Sequence, residues 1–194
     1  MSDFFLWFIT GLEHIADPKG YDHILFLLAL CGVYDLKEWK KLLILVTAFT
    51  VGHSLTLALS VLDIVTLRTP LVEFLIPLTI LVTCIYNLLH LNKNKSSRML
   101  PAYFLAMFFG LIHGLGFSYL LKSLLGKEAG IAGPLLAFNL GLEAGQLLIV
   151  SAVLIISLVL VRIFRIQFYH WKFFLSSAVF GIAFIMAAER IPAF

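Results

Sequence analysis

The chain has 194 residues, 61% of them hydrophobic and only 13% charged, with formal net charge +3 and mean hydropathy +1.03. A soluble domain is about 45–50% apolar and about 25% charged, so a soluble fold is excluded and a lipid bilayer must cover the surplus. The small positive charge comes from lysines and arginines between apolar segments, and no nucleic-acid partner is expected.

Hydropathy and helix breakers predict an all-α polytopic transmembrane bundle of six or seven spans, a single transmembrane domain over residues 1–194. The first segment, Asp3–Ala16, is short for a crossing, which needs about 20 residues; a tilted, partial or interfacial helix is expected there. It lacks a basic n-region, and Glu13 and His14 stand where a cleavable signal needs small apolar residues, so it reads as part of the mature protein. Asp17-Pro18-Lys19-Gly20 breaks the chain. The remaining segments are Tyr21–Tyr34, Trp39–Leu62, Pro70–Leu91, Leu100–Lys122, Gly133–Val161 and Trp171–Ala188. Cys31 and Cys84 lie in apolar stretches without metal-type spacing and read as buried free thiols.

If the seven segments alternate, one side receives Lys37, Lys40, Lys41, Lys93, Lys95, Arg98, Arg162, Arg165 and Lys172. The other receives Lys19, Arg68, Lys122, Lys127 and Arg190. Lys/Arg-rich loops stay cytoplasmic. The Lys93–Arg98 loop is therefore expected inside and the Asp17–Gly20 loop outside, in a multi-pass protein of the cell membrane.

Ionisable residues inside such spans cost roughly 2.5–3.5 kcal/mol each at the helix centre, and this chain carries several. They are Glu13 and His14, Asp22 and His23, His53, Glu73, His113 and Glu143. Thr50 and Ser54 are spaced i, i+4 with Thr47 a turn earlier; Asn139, Glu143 and Gln146 fall at i, i+4, i+7 on one face. Gly110, Gly114 and Gly116 flank His113 and permit close helix approach. Counting about 1.5 Å per residue, these positions gather in the outer half of the membrane. Imidazoles and carboxylates at one level are what a divalent transition metal such as nickel or zinc requires. His23, His53 and His113 form the preferred ligand set, with Asp22, His14 and Glu143 as further candidates. Glu13, Glu73, Asn139, Gln146 and Thr50 are expected to surround it. His90 and His170, near the inner boundary, are expected to have no role.

Gly11-Leu12-Glu13-His14 and Gly20-Tyr21-Asp22-His23-Ile24-Leu25-Phe26 resemble the opening of the HupE/UreJ family. So do Thr47–Leu57, containing Gly52-His53-Ser54, and Val72-Glu73. Phe109–Phe117, containing His113, and Phe138–Gln146 complete the resemblance in order. That family comprises hydrogenase and urease accessory membrane proteins regarded as secondary nickel permeases, and the resemblance implies metal handling here. Its hallmark is a histidine, five residues, then Asp-His; here seven residues, Ile15–Tyr21, separate His14 from Asp22-His23. Pro18 and Gly20 suggest a loop that absorbs the difference.

Two functions follow. The first is a permease that captures a divalent cation in the outer half and passes it inward. The alternative is an outward-facing zinc hydrolase acting on a lipid or membrane-embedded substrate, with Glu143 as general base and Ser54 or Asn139 as oxyanion donor. A metal sensor or accessory subunit is a third reading, and a homo-oligomer or accessory partner is left open.

Overall fold

A computed structural model of the chain describes residues 3–18, 20–91, 99–125 and 130–191. It contains helices and no strand among the described residues: α1 Asp3–Ala16, α2 Asp22–Cys31, α3 Trp39–Val61, α4 Thr69–Leu89, α5 Met99–Leu125, α6 Ala132–Leu158 and α7 Phe168–Glu189. Five helical segments are long and apolar enough to cross a membrane: Leu36–Val61, Thr69–Leu89, Ala102–Leu124, Ala132–Ile163 and Phe168–Glu189. The protein is an integral membrane protein.

Two helix pairs form the frame, and both are made by glycine. In the α3–α5 pair, Gly52 sits against the Met107 carbonyl and Leu111 nitrogen, and Gly110 against the Phe49 carbonyl and His53 nitrogen. In the α1–α6 pair, Gly141 sits against the Phe8 carbonyl and Leu12 nitrogen, and Gly11 against the Phe138 carbonyl and Leu142 nitrogen. A Cβ at any of the four would overlap the facing backbone. Small residues thus bring the helices close enough for dispersion to hold them where lipid offers no hydrophobic drive.

The register shows each pair to be parallel. Gly114, one turn after Gly110, meets His53 and Thr56; Gly145, one turn after Gly141, meets Leu12 and Ile15. The Lys122–Asp63 ion pair likewise joins the end of α5 to the residues just after α3. The two pairs run in opposite directions, because the C-terminal part of α6 (Leu154, Ser157, Leu158) borders Asp35 and Leu36 just ahead of α3. The sequence echoes this symmetry: Gly-Leu-x-His occurs at Gly11–His14 and Gly110–His113, and Ala-Phe-x-x-Gly at Ala48–Gly52 and Ala137–Gly141. These are the marks of an inverted repeat.

Helix direction also settles the first two segments. The α4 and α7 helices are antiparallel, with Arg190 beside Glu73 and Lys172 bonded to the Leu91 carbonyl. Asp22 stands at the Arg190 end of α7, and Gly32, just past α2, packs on Leu175. The α2 helix therefore runs with α4 and α6, and α1 runs with α6 too. At 14 and 10 residues, α1 and α2 are each shorter than the roughly 20 residues a crossing needs. Strict alternation of seven full segments, the expectation from hydropathy, is not kept by these two short helices, which run the same way. The break carries Asp17 and Pro18, both exposed on a cavity beside α1. Lys19, Lys93, Lys95, Arg98 and Lys127 lie outside the described residues.

Cys31 and Cys84 are buried and free. A Gly52→Ala substitution should lower the unfolding free energy by about 1–3 kcal/mol through overpacking. Gly133→Ala should have no such effect, since nothing lies within 4 Å of its added Cβ. Thermal unfolding of the two variants in detergent checks the pair.

Candidate metal centre

The inner tip of α1 and the start of α2 place His14 and His23 face to edge, ring centroids 4.7 Å apart. The close α3–α5 crossing adds His53 and His113, each flanked by the glycines that make it. His53 stands 6.0 Å from both His14 and His23, and His113 stands 5.1 Å from His23, centroid to centroid. Four imidazoles from four helices thus share one level, about 12 Å from the end of α3 and about 18 Å from the end of α5.

Their nitrogens are what set this cluster apart from ordinary packing. His14 Nε2, His23 Nε2, both nitrogens of His53 and His113 Nδ1 are buried without a hydrogen-bond partner. Each such atom forfeits roughly 1–3 kcal/mol of solvation. Ligand atoms of His14, His23 and His53 lie within 4.8 Å of one another, a spacing that a small closure brings to the Zn–N-type distances of about 2.0–2.1 Å around one ion. The donor set fits a borderline transition metal.

Hydrogen bonds fix which nitrogen of two rings faces the cluster. Asp22 Oδ1 lies 2.9 Å from His23 Nδ1 and accepts a second bond, also 2.9 Å, from the His23 backbone N–H. A carboxylate can only accept, so Nδ1 carries the proton and Nε2 presents its lone pair inward. His113 Nε2 lies 3.0 Å from Thr79 Oγ1, whose own proton goes to the Ile76 carbonyl at 2.7 Å. His113 therefore donates through Nε2, and its Nδ1 lone pair is the free one.

Arg190 is a participant that the sequence reading left unassigned. Pro77, inside α4, has no N–H to give the Glu73 carbonyl one turn earlier. Arg190 Nη1 supplies a contact there at 3.4 Å and reaches Asp22 Oδ2 at 3.6 Å. The far end of α7 is thereby tied to the carboxylate that orients His23. A proline within an apolar span was the available signal. Glu73 contributes this backbone carbonyl, while its side chain is exposed.

Other sequence candidates fall elsewhere. Glu143 stands on Thr47, its Oε1 accepting from Oγ1 at 2.8 Å. Gln146 is bonded to Thr50 at 2.7 Å, and Asn139 Nδ2 donates to the Leu135 carbonyl at 2.8 Å. Ser54 donates to the Thr50 carbonyl at 2.7 Å. None of these supplies the missing partner of an imidazole nitrogen. Glu13 is exposed on the rim of a cavity of about 520 Å³ that also borders His14, Asp17, Phe117 and Leu124. The cavity opens a route from the α5 C-terminal end to the edge of the cluster. His90 is bonded to the Tyr86 carbonyl at 2.8 Å.

Phenylalanines wall the site. Phe26 and Phe49 lie 5.1 and 5.2 Å from His113, and Phe117 and Phe138 lie 3.9 and 5.7 Å from His14. Their rings lower the local polarity around the imidazoles and so strengthen any charge interaction there.

Residues 1–190 match the family described as HupE / UreJ protein. The chain belongs to the HupE/UreJ family. No curated protein and no solved structure matches it. The residues between His14 and Asp22 contain the break between α1 and α2, and His14 lies beside His23.

Because His53 has no partner on either nitrogen, His53→Leu in metal-free protein should cost nothing and should raise stability by about 1–2 kcal/mol. His113→Leu strands the Thr79 bond and should not. Chemical unfolding with and without a chelator distinguishes the two.

Proposed function

We propose that this HupE/UreJ protein binds a divalent transition metal among His14, His23, His53 and His113 and carries it across the membrane. Nickel is the cargo favoured by kinship with the family. The single observation behind this reading is the set of buried imidazole nitrogens converging without protein partners in a phenylalanine-walled site. A divalent transition-metal cation satisfies several such lone pairs at once.

In this reading residues 1–194 act as one transmembrane domain, and the ion enters through the cavity beside α1. The Asp22 carboxylate keeps His23 in the ligating tautomer and adds negative charge close to the cation. Arg190 holds that carboxylate in place. The cavity end of the bundle faces outward. Among the described residues Lys37, Lys40, Lys41, Arg162, Arg165 and Lys172 lie at the opposite end, against Arg68, Lys122 and Arg190 at this one. Interrupted helices and inverted repeats are recurrent parts of secondary transporters, with the substrate held near the midplane. The hydrolase alternative has less support: Ser54 and Glu143 are bonded elsewhere and make no hydrogen bond to an imidazole.

Purified protein should bind nickel, and proteoliposomes should accumulate it. His53→Ala should abolish tight binding and accumulation, while Asp22→Asn should weaken tight binding by about 10–100-fold. Wild-type vesicles that exclude the ion while the protein binds it would leave a metal centre and remove the permease.

A further inference from the structure

Between the histidines and the α3 start lies a second polar group that the four-imidazole cluster does not use. Thr47 and Thr50 precede His53 on α3 and so stand about 9 Å and about 4–5 Å further inward. Facing them on α6 are Glu143 and Gln146, with Asn139 one turn earlier on the same helical face. Gln146 is wholly buried.

The hydrogen bonds of this group do not close. Thr50 Oγ1 lies 3.1 Å from the Val46 carbonyl and 2.7 Å from Gln146 Oε1, yet a hydroxyl has one proton to give. If that proton goes to Val46, Gln146 turns its NH2 toward Thr50 and leaves its carbonyl oxygen in the buried, unpartnered position. If it goes to Gln146, the amide nitrogen is the orphan. Amide orientation is set by the surrounding network, and a cation selects the first arrangement. Asn139 repeats the pattern: its nitrogen is bonded to Leu135, and its Oδ1 is buried with no partner. Two amide oxygens, a carboxylate and two hydroxyls thus line one seam.

We propose that the α3–α6 seam is a second cation station, built from Glu143 and Gln146 with Thr47 and Thr50, and approached from the histidines past Asn139. It takes over an ion released from the histidines. The proposal rests on the permease reading and adds to it the inward step. Imidazole holds nickel firmly, whereas neutral amide and hydroxyl oxygens with a single carboxylate bind a divalent ion weakly and exchange it readily. Conduction needs such a sequence of unequal sites. Glu143, half-buried on a mostly apolar helix beside the exposed Thr47, supplies the only charge of the station.

Equilibrium dialysis of the full chain in detergent against Ni2+ tests this. Wild type should bind two ions, the second more weakly by at least about tenfold. Glu143→Gln retains an acceptor for Thr47 and should abolish the weak site while leaving the tight one unchanged; Gln146→Leu should do the same. His53→Ala should lose the tight site and keep the weak one, which Mn2+ should then fill with an electron-paramagnetic signature of oxygen ligation. A wild-type stoichiometry of one, or two ions unaffected by Glu143→Gln, overturns the second station even if vesicles take up nickel. Two ions without uptake would overturn the permease reading and leave the station standing.

Discussion

Buried imidazole nitrogens without hydrogen-bond partners govern this structure. Burial removes bulk solvent from them, so each one facing the cluster without a protein partner costs the folded chain free energy. His14, His23, His53 and His113 hold several of these at one level, and the rest of the fold keeps them there. Hydrogen bonds on the outer nitrogens of His23 and His113 keep the inner ones free. A protein selected for stability alone would have turned those nitrogens onto neighbours or replaced them with leucine.

The glycine crossings supply the geometry. Close backbone contact at Gly52 and Gly110 brings α3 and α5 together and places His53 and His113 on neighbouring helices. The same contact at Gly11 and Gly141 brings α1 to α6 and delivers His14. Because the two pairs run in opposite directions, the cluster sits between elements related by inverted symmetry, with α2 adding the fourth ring from the far side of the break. Two rigid pairs meeting at a shared site suit a membrane protein that handles its ligand in the middle of the bilayer.

Arg190 shows how a distant part of the chain enters the site. The last helix carries no motif, yet its C-terminal arginine touches Asp22 Oδ2 and the Glu73 carbonyl that Pro77 leaves open. The charge helps hold a carboxylate whose task is to orient an imidazole. The effect on the histidine cluster is therefore indirect, through the position of Asp22.

Sequence alone determined the membrane class, the family and the identities of the clustered histidines. Apolar composition leaves no other solvent than lipid, and ionisable residues in a span are too costly to be incidental. What it did not reveal was direction. Hydropathy counts segments and cannot tell that α1 and α2 run the same way, since that depends on which helix each glycine meets. Nor did it foresee that Glu143 would stand on Thr47 and not among the imidazoles: helical spacing gives the face of a residue, but its partner is chosen by the angle and register at which two helices cross. His14 illustrates the same limit. The two extra residues after it shift its helical phase, and only the break between α1 and α2, fixed by packing, returns its ring to His23.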